Sequence, residues 1–313
     1  MGFVRTVLGD IPTDALGITY THEHLIIDSE IVEKNFEHIW LPSVSDAVAE
    51  VGYCREAGVR TFVDCMPMGS GGDIQKLKEI SEQANVNIVA ATGMHTQKYY
   101  AKDSDYLTLD SHDLAQRFIG DVNIGAQGTE SKAGIIKVAT LGTNLTAFEL
   151  RLFNAAAIAH KETGAPILTH CELGNGALQQ IEMLSNLGVS LNHVTISHTD
   201  KTADASYITD VLQSGVFVEF DQALRQTSDE DPQSARLMKQ MVERGFIKQL
   251  MLGTDGARRT LWTALNGTPG LAWMVLSWST VLNNFGLTTD EISTIFVENP
   301  AKALSFSNMQ KSR

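Results

Sequence analysis

The feature that most constrains the fold is a rhythm. Eight short apolar runs rich in β-branched residues each end in polar or charged side chains, and the segments between them show helical spacing of apolar positions. The runs are 17–27 (GITYTHEHLII), 61–66 (TFVDCM), 87–93 (NIVAATG), 133–139 (AGIIKVA), 165–171 (APILTHC), 193–198 (HVTISH), 216–220 (VFVEF) and 249–255 (QLMLGTD). The intervening helices include 45–57, 147–163 with Gly164 as its stop, and 234–244 with Gly245 in the same role. Strands that alternate with helices form a parallel sheet, and strands that are continuously apolar need cover on both faces. A (β/α)8 TIM barrel with an outer helical ring meets both demands. An open doubly wound sheet would carry a glycine-rich phosphate loop after its first strand, and none follows here. With no linker or low-complexity segment, residues 1–313 are expected to form one α/β barrel domain.

Charge and cysteine usage narrow the function classes. The chain carries 24 Lys+Arg against 37 Asp+Glu, a formal charge of −13. Nucleic-acid and anionic-membrane binders need a basic surface, so neither partner is expected. The longest apolar stretch, 271–282, is interrupted by Ser and Thr and falls short of the roughly 20 residues that span a bilayer. No basic n-region followed by an apolar h-region opens the chain, and a cytoplasmic location is expected. Cys54, Cys65 and Cys171 show no CxxC spacing and read as reduced thiols rather than a disulfide framework.

The chemistry-bearing residues sit where the runs end. In Thr21-His22-Glu23-His24, positions 22 and 24 are two apart, and on a strand that spacing puts both imidazoles on one side. Alone, such a pair is as often structural as metal-binding. Four other runs also end in a ligand-type residue: Lys137 in the fourth, His170 in the fifth, His198 in the sixth and Asp255 in the eighth. The C-terminal strand ends of a barrel converge on one site. Four His and one Asp exceed what one tetrahedral ion needs, which points to two ions sharing a bridging hydroxide. Lys137 has two readings: an ammonium that snorkels out of the strand end, or a buried neutral amine that reacts with carbon dioxide to give an anionic carbamate able to bridge two metals.

These positions resemble the phosphotriesterase family of the amidohydrolase superfamily over nearly the full length. The matching features are LGDI near the start, THEH after the first strand, GIIK, THCE, SHTD, the TD of the eighth strand and ENPAKAL at 298–304. The resemblance implies a (β/α)8 barrel with two divalent metals, usually zinc, bridged by a carboxylated lysine and a hydroxide. Manganese, cobalt or nickel would also suit such ligands. Carried over by position, His22, His24 and Asp255 would hold the more buried ion, His170 and His198 the more exposed one, and Lys137 would bridge them. The implied mechanism is attack of the hydroxide on an electrophilic carbonyl or phosphoryl centre, with Asp255 as the catalytic proton acceptor. The resemblance also implies a homodimer or higher homo-oligomer.

Loops, not the fold, set the substrate. Phosphotriesterases proper carry an acid just beyond the strand-six His motif and a His after the strand-seven Asp, whereas this chain has Lys201 and Gln222. That departure weighs against organophosphate hydrolysis as the main activity. Lys98, Lys201, Arg225 and Arg258, with Arg259 beside it, follow strand C-termini and read as clamps for a phosphate or carboxylate, or as partners of acids such as Asp221, Asp229 and Glu230. His95, Tyr99 and Tyr100 are candidates to line the same pocket. TDGARR followed by NGTPGL is similar to the branch of the family that hydrolyses sugar lactones, some of them phosphorylated. The expected small-molecule substrate is therefore a lactone bearing a phosphate or carboxylate. A carboxylate ester, an N-acyl amide and a phosphotriester are the alternatives, and a non-catalytic ligand-binding barrel is a remote one.

Overall fold

A computed structural model describes residues 2–307 of the chain. Two strands the run analysis did not anticipate come first: β1 (Phe3–Thr6) and β2 (Gly9–Pro12) pair as an antiparallel hairpin. The eight expected strands follow as β3 (Ile18–Glu23), β4 (Val59–Asp64), β5 (Asn87–Gly93), β6 (Ile135–Thr140), β7 (Ile167–Cys171), β8 (Val194–Ile196), β9 (Phe217–Phe220) and β10 (Leu250–Leu252). They form one parallel sheet in chain order. Its ends meet through β10 and β3: the Thr254 and Asp255 N–H groups donate to the His22 carbonyl at 3.1 and 3.0 Å. With helices between successive strands, the chain is a (β/α)8 barrel, as expected.

The pleat divides the strand residues by destination. On β4 and β6, Phe62, Ile136 and Val138 point outward into the layer between barrel and helices. Val63, Val89, Ile135 and Leu168 point inward and form an apolar floor, closed from below by Val4 and Leu16 of the N-terminal segment and by Leu304. The hairpin thus plugs the barrel bottom. Above that floor the interior turns polar, because Lys137 follows Ile135 two residues on, and Glu219 follows Phe217 in the same way.

Local signals set most helix bounds. The helix Ala147–Thr163 begins with a capping box between Thr146 and Glu149 and ends at Gly164 in the left-handed region, φ 76°. The other two expected helices are Val44–Glu56 and Gln233–Glu243. Some strands are shorter than the apolar runs: the first run yields the six residues of β3, and the sixth and eighth stop at Ile196 and Leu252. His198 and Asp255 lie past these ends with positive φ, 66° and 45°, so the backbone turns there and the ligand-type side chains sit on the turns. The apolar stretch 271–282 contains a π-helical turn, Met274–Trp278, followed by the helix Ser279–Asn284. Among the described residues no helix is long and apolar enough to cross a membrane.

One glycine fixes how closely two strands approach at the level of the site. Gly93 ends β5 at φ 100°, and a Cβ there would lie 2.0 Å from the Lys137 carbonyl oxygen. Gly93→Ala is expected to lower stability by more than about 2 kcal/mol, read from the urea midpoint. A loss under about 0.5 kcal/mol, the range of ordinary surface changes, would contradict this close approach.

Candidate metal centre

The sequence places six ligand-type residues on or just past five strands, and the barrel brings them into one mouth. His22, His198 and Asp255 each offer a ligand atom within 4.8 Å of the others'. His24 Nε2 stands 3.6 Å from Asp255 Oδ1, and His170 Nδ1 stands 2.8 Å from His198 Nε2. The rings of His22 and His24 are 5.4 Å apart, centre to centre. Lys137 rises from the floor of the same space, fully buried.

A bulge helps to aim the first pair. Between Tyr20 and Glu23 the register of β3 on β4 slips, since Tyr20 pairs with Phe62 but Glu23 pairs with Asp64. A bulge breaks strict alternation. As a result the adjacent residues Thr21 and His22 both reach the interior carboxylate of Glu219: Thr21 Oγ1 donates at 2.6 Å, and His22 Nδ1 lies 3.3 Å away.

Around the donors lies a set of acids and hydroxyls, buried except for the partly exposed Glu172, whose contacts the sequence does not reveal. Ser197 Oγ is 3.0 Å from His22 Nδ1 and donates to Glu219 Oε2 at 2.9 Å. Asp221 Oδ2 accepts from the His198 N–H at 2.9 Å and lies 2.7 Å from His198 Nδ1. Glu172 Oε2 is 3.0 Å from His170 Nε2. Glu23 accepts from the N–H and hydroxyl of Thr254, which fixes the turn into Asp255. Acids that contact imidazoles set their orientation and basicity toward an ion. The signal for two of them is visible in VEFDQ, where Glu219 and Asp221 stand two apart in an apolar strand and therefore face the interior.

The electrostatics of the mouth favour neutral imidazoles. Burial, with Lys137 adding to it, pushes His22 down to about 3. Burial also holds His24, His95 and His198 well below the usual value and lowers His170. Burial alone would raise Asp255, but Arg225, His198 and Lys201 hold its carboxyl well below the ordinary range. At neutral pH His22, His24, His170 and His198 are therefore unprotonated beside a carboxylate, which is the form that ligates. Two buried atoms fit a missing partner: His24 Nδ1 and Lys137 Nζ make no hydrogen bond. A buried polar nitrogen without a partner is costly. A carbamate on Lys137 would relieve the second, whereas an ion shared with Asp255 would meet His24 through Nε2, the ring nitrogen that faces that carboxylate.

A cavity of about 240 Å³ opens above this set, and His95, Lys98, Tyr99, Lys201, Arg225 and Arg258 line it, whereas Tyr100 and Arg259 do not. Their commitments differ. Arg225 donates to the carbonyls of Asp221, Thr254 and Asp255 at 3.3, 3.0 and 2.7 Å and to Asp255 Oδ2 at 3.2 Å. It is engaged by the protein and not free to clamp a ligand, because the end of the eighth strand turns its oxygens toward it. Lys201 Nζ is 3.9 Å from Asp255 Oδ2, and Lys98 Nζ lies 5.1 Å from the Tyr99 ring centre. Tyr100 is buried beneath the rim, its hydroxyl accepting from the His95 N–H at 3.0 Å. Cys171 is buried and its thiol pushed up to about 12, so it is a structural thiol.

Comparison with known proteins agrees with this geometry. The chain matches the phosphotriesterase family over residues 2–304. It is 31% identical to a phospho-furanose lactonase of Mycoplasmopsis synoviae, covering 97% of this chain and 92% of that protein. It is also 31% identical to an aryldialkylphosphatase of Saccharolobus solfataricus, over 94% and 97% of the two chains. The solved structure of a lactonase from Listeria monocytogenes superposes with a TM-score of 0.92 at 27% identity, covering 98% of this chain and all of that one, 100%.

Orientation by the buried layer can be measured apart from activity. Glu219→Gln is expected to weaken divalent-ion binding about 10- to 100-fold in competition with a chelator, with the fold retained. Unchanged affinity would mean that Glu219 does not set the His22 ring.

Proposed function

The chain belongs to the phosphotriesterase family and is a metal-dependent ester hydrolase, and on that footing we propose that it opens a lactone carrying a phosphate or carboxylate, using two divalent ions. The observation that carries the reading is the composition of one small cavity. Hydrolytic ligands line its base, and Lys98, Lys201 and Arg258 line its rim. Similarity to a phospho-furanose lactonase supports the same class.

In this proposal His22, His24 and Asp255 hold the inner ion, and His170 and His198 hold the outer one. Lys137 would supply the bridging ligand if its amine, having given up its proton, added to carbon dioxide to give a carbamate anion with release of one further proton. Zinc is the first expectation, with manganese, cobalt or nickel as alternatives. When bound, such ions lower the pKa of water and polarise an ester carbonyl. The protein's own residues do the rest. Asp255 receives the proton that the attacking water gives up, and the Arg225 guanidinium, 3.2 Å from Asp255 Oδ2, keeps that carboxylate in place. His95 and Tyr99 form one wall of the cavity, their rings 4.8 Å apart, and limit how the lactone ring can turn. The cations at the rim hold the anionic tail, so the reacting carbonyl lies over the nucleophile.

Cavity size bears on the substrate as well. A space of about 240 Å³ suits a single ring with a compact charged substituent better than a long acyl chain or a bulky triester. Lys201 and Gln222 occupy the positions at which phosphotriesterases proper carry a proton-relay acid and histidine, which supports the same choice.

The test is a matched pair of sugar lactones, with and without phosphate. Arg258→Glu should raise KM for the phosphorylated lactone on the order of 100-fold, the size expected for reversing one charge-assisted contact, and leave the neutral lactone within about threefold. A chelator should abolish both activities. Equal effects on both lactones would overturn the anion assignment, and activity confined to esters or amides would overturn the lactone assignment.

A further inference from the structure

The helix Val44–Glu56 buries Ala47, Glu50, Val51 and Cys54, a stripe at helical spacing with a carboxylate in its middle. Glu50 is fully buried although nothing in the metal centre uses it. Its two oxygens are aimed at the loop that follows β10: Oε2 accepts from the Ala264 N–H at 2.9 Å, and Oε1 from the Leu271 N–H at 2.7 Å. Backbone amides are what meet this charge. An apolar residue at this position of the stripe would leave both N–H groups without their acceptor, so Glu50 has a role that packing does not require.

The loop it holds is built to be rigid between those two anchor points. Thr268 N–H donates to the Thr260 carbonyl at 2.8 Å and Gly270 N–H to the Leu261 carbonyl at 2.9 Å. The Trp262 indole donates to the Gly256 carbonyl at 2.7 Å. Gly270, at φ 84°, sits where a Cβ would lie 2.2 Å from Thr263 Oγ1 and 3.6 Å from Glu50 Oε1, so the chain passes directly over the carboxylate. The start of the same loop carries Arg258 on the rim of the cavity, and Arg259 donates to the Trp40 carbonyl at 2.7 Å across the mouth.

We propose that Glu50 is a specificity-determining positioning residue, which fixes the loop after the eighth barrel strand so that Arg258 meets the anionic part of the substrate. It acts through the backbone and touches neither ligand ions nor substrate. The proposal rests on the reading that an anion is recognised at the rim. Loosening the loop should therefore cost binding of charged substrates selectively, since five of the six ligand-type residues sit on other strands and the turn at Asp255 is held separately by the His22 carbonyl and Glu23.

The experiment uses the metal-loaded protein and the same two lactones. In Glu50→Gln one carbonyl oxygen remains to accept while the amide NH2 faces the other N–H, so one of the two anchors is lost. KM for the phosphorylated lactone should rise about tenfold, with KM for the neutral lactone, kcat for both and metal content unchanged within about twofold. Hydrogen exchange of the amides of 263–271 should accelerate in the same variant. Gly270→Ala strains the loop, its Cβ meeting Thr263 Oγ1 at 2.2 Å while leaving both carboxylate oxygens of Glu50 chemically intact, and should give the same selective loss, which covers the case in which Glu50→Gln does not fold. Equal losses on both lactones, unchanged KM for both, or unchanged exchange in the loop would overturn the proposal. If Arg258→Glu itself leaves the phosphorylated lactone unaffected, the anion reading fails. If Arg258→Glu acts but neither Glu50→Gln nor Gly270→Ala does, only the role given to Glu50 fails.

Discussion

The His22 carbonyl is the point on which the structure turns. It accepts from both Thr254 and Asp255, and so joins the last strand of the barrel to the first. The same two contacts set the last ligand-type residue beside the first two. Barrel closure and site assembly are thus one event: a chain that closes in this register has His22, His24 and Asp255 in one place, and a slip of one residue would turn the side chains the other way.

The interior built around that joint is electrostatically expensive without ions. It gathers Lys137, His22, His24, His198, Glu219 and Asp221, all buried, with His170 and Asp255 partly exposed at the cavity above them. Burial pushes Glu219 and Glu23 upward, since an ionised carboxyl is poorly solvated there. An interior of this kind is justified by function rather than by stability, because well-packed apolar side chains would serve the fold as well or better. The apolar floor of Val63, Val89, Ile135 and Leu168 supplies the packing and leaves the upper layer free for chemistry. Above the mouth a second division holds: Lys98, Lys201 and Arg258 line the cavity, while Arg225 and Glu50 are turned inward to hold backbone.

The sequence makes some of this legible and conceals the rest for physical reasons. The eight βα units can be read because a buried parallel strand must be continuously apolar, and the six ligand-type residues because each interrupts such a run at or near its C-terminal end. The hairpin Phe3–Pro12 escapes that reading: its strands are four residues each, and β2 is mostly exposed, so it has no apolar run. The bulge in β3 is invisible too, since register is set by the partner strand and not by residues 20–23 alone. Positive φ accompanies the Asp255 N–H bonded to the His22 carbonyl and the His198 N–H bonded to Asp221, partners that the residues around each turn do not reveal. Arg225 shows the limit most clearly. Its type and place fit an anion clamp, but its four acceptors lie on segments whose proximity only the folded barrel creates. Glu50 was accessible in part, as one acid inside an apolar stripe, although its partners lie more than 200 residues downstream.

The central claim is that these six side chains hold two divalent ions with Lys137 between them. It is tested most directly by counting zinc, by elemental analysis, on chelator-stripped protein reloaded in bicarbonate buffer and dialysed, beside a Lys137→Met variant treated in the same way. The account predicts two ions per chain in the wild type and no more than one in the variant, with the fold of both intact. One ion or none in the wild type, or two in the variant, would contradict it.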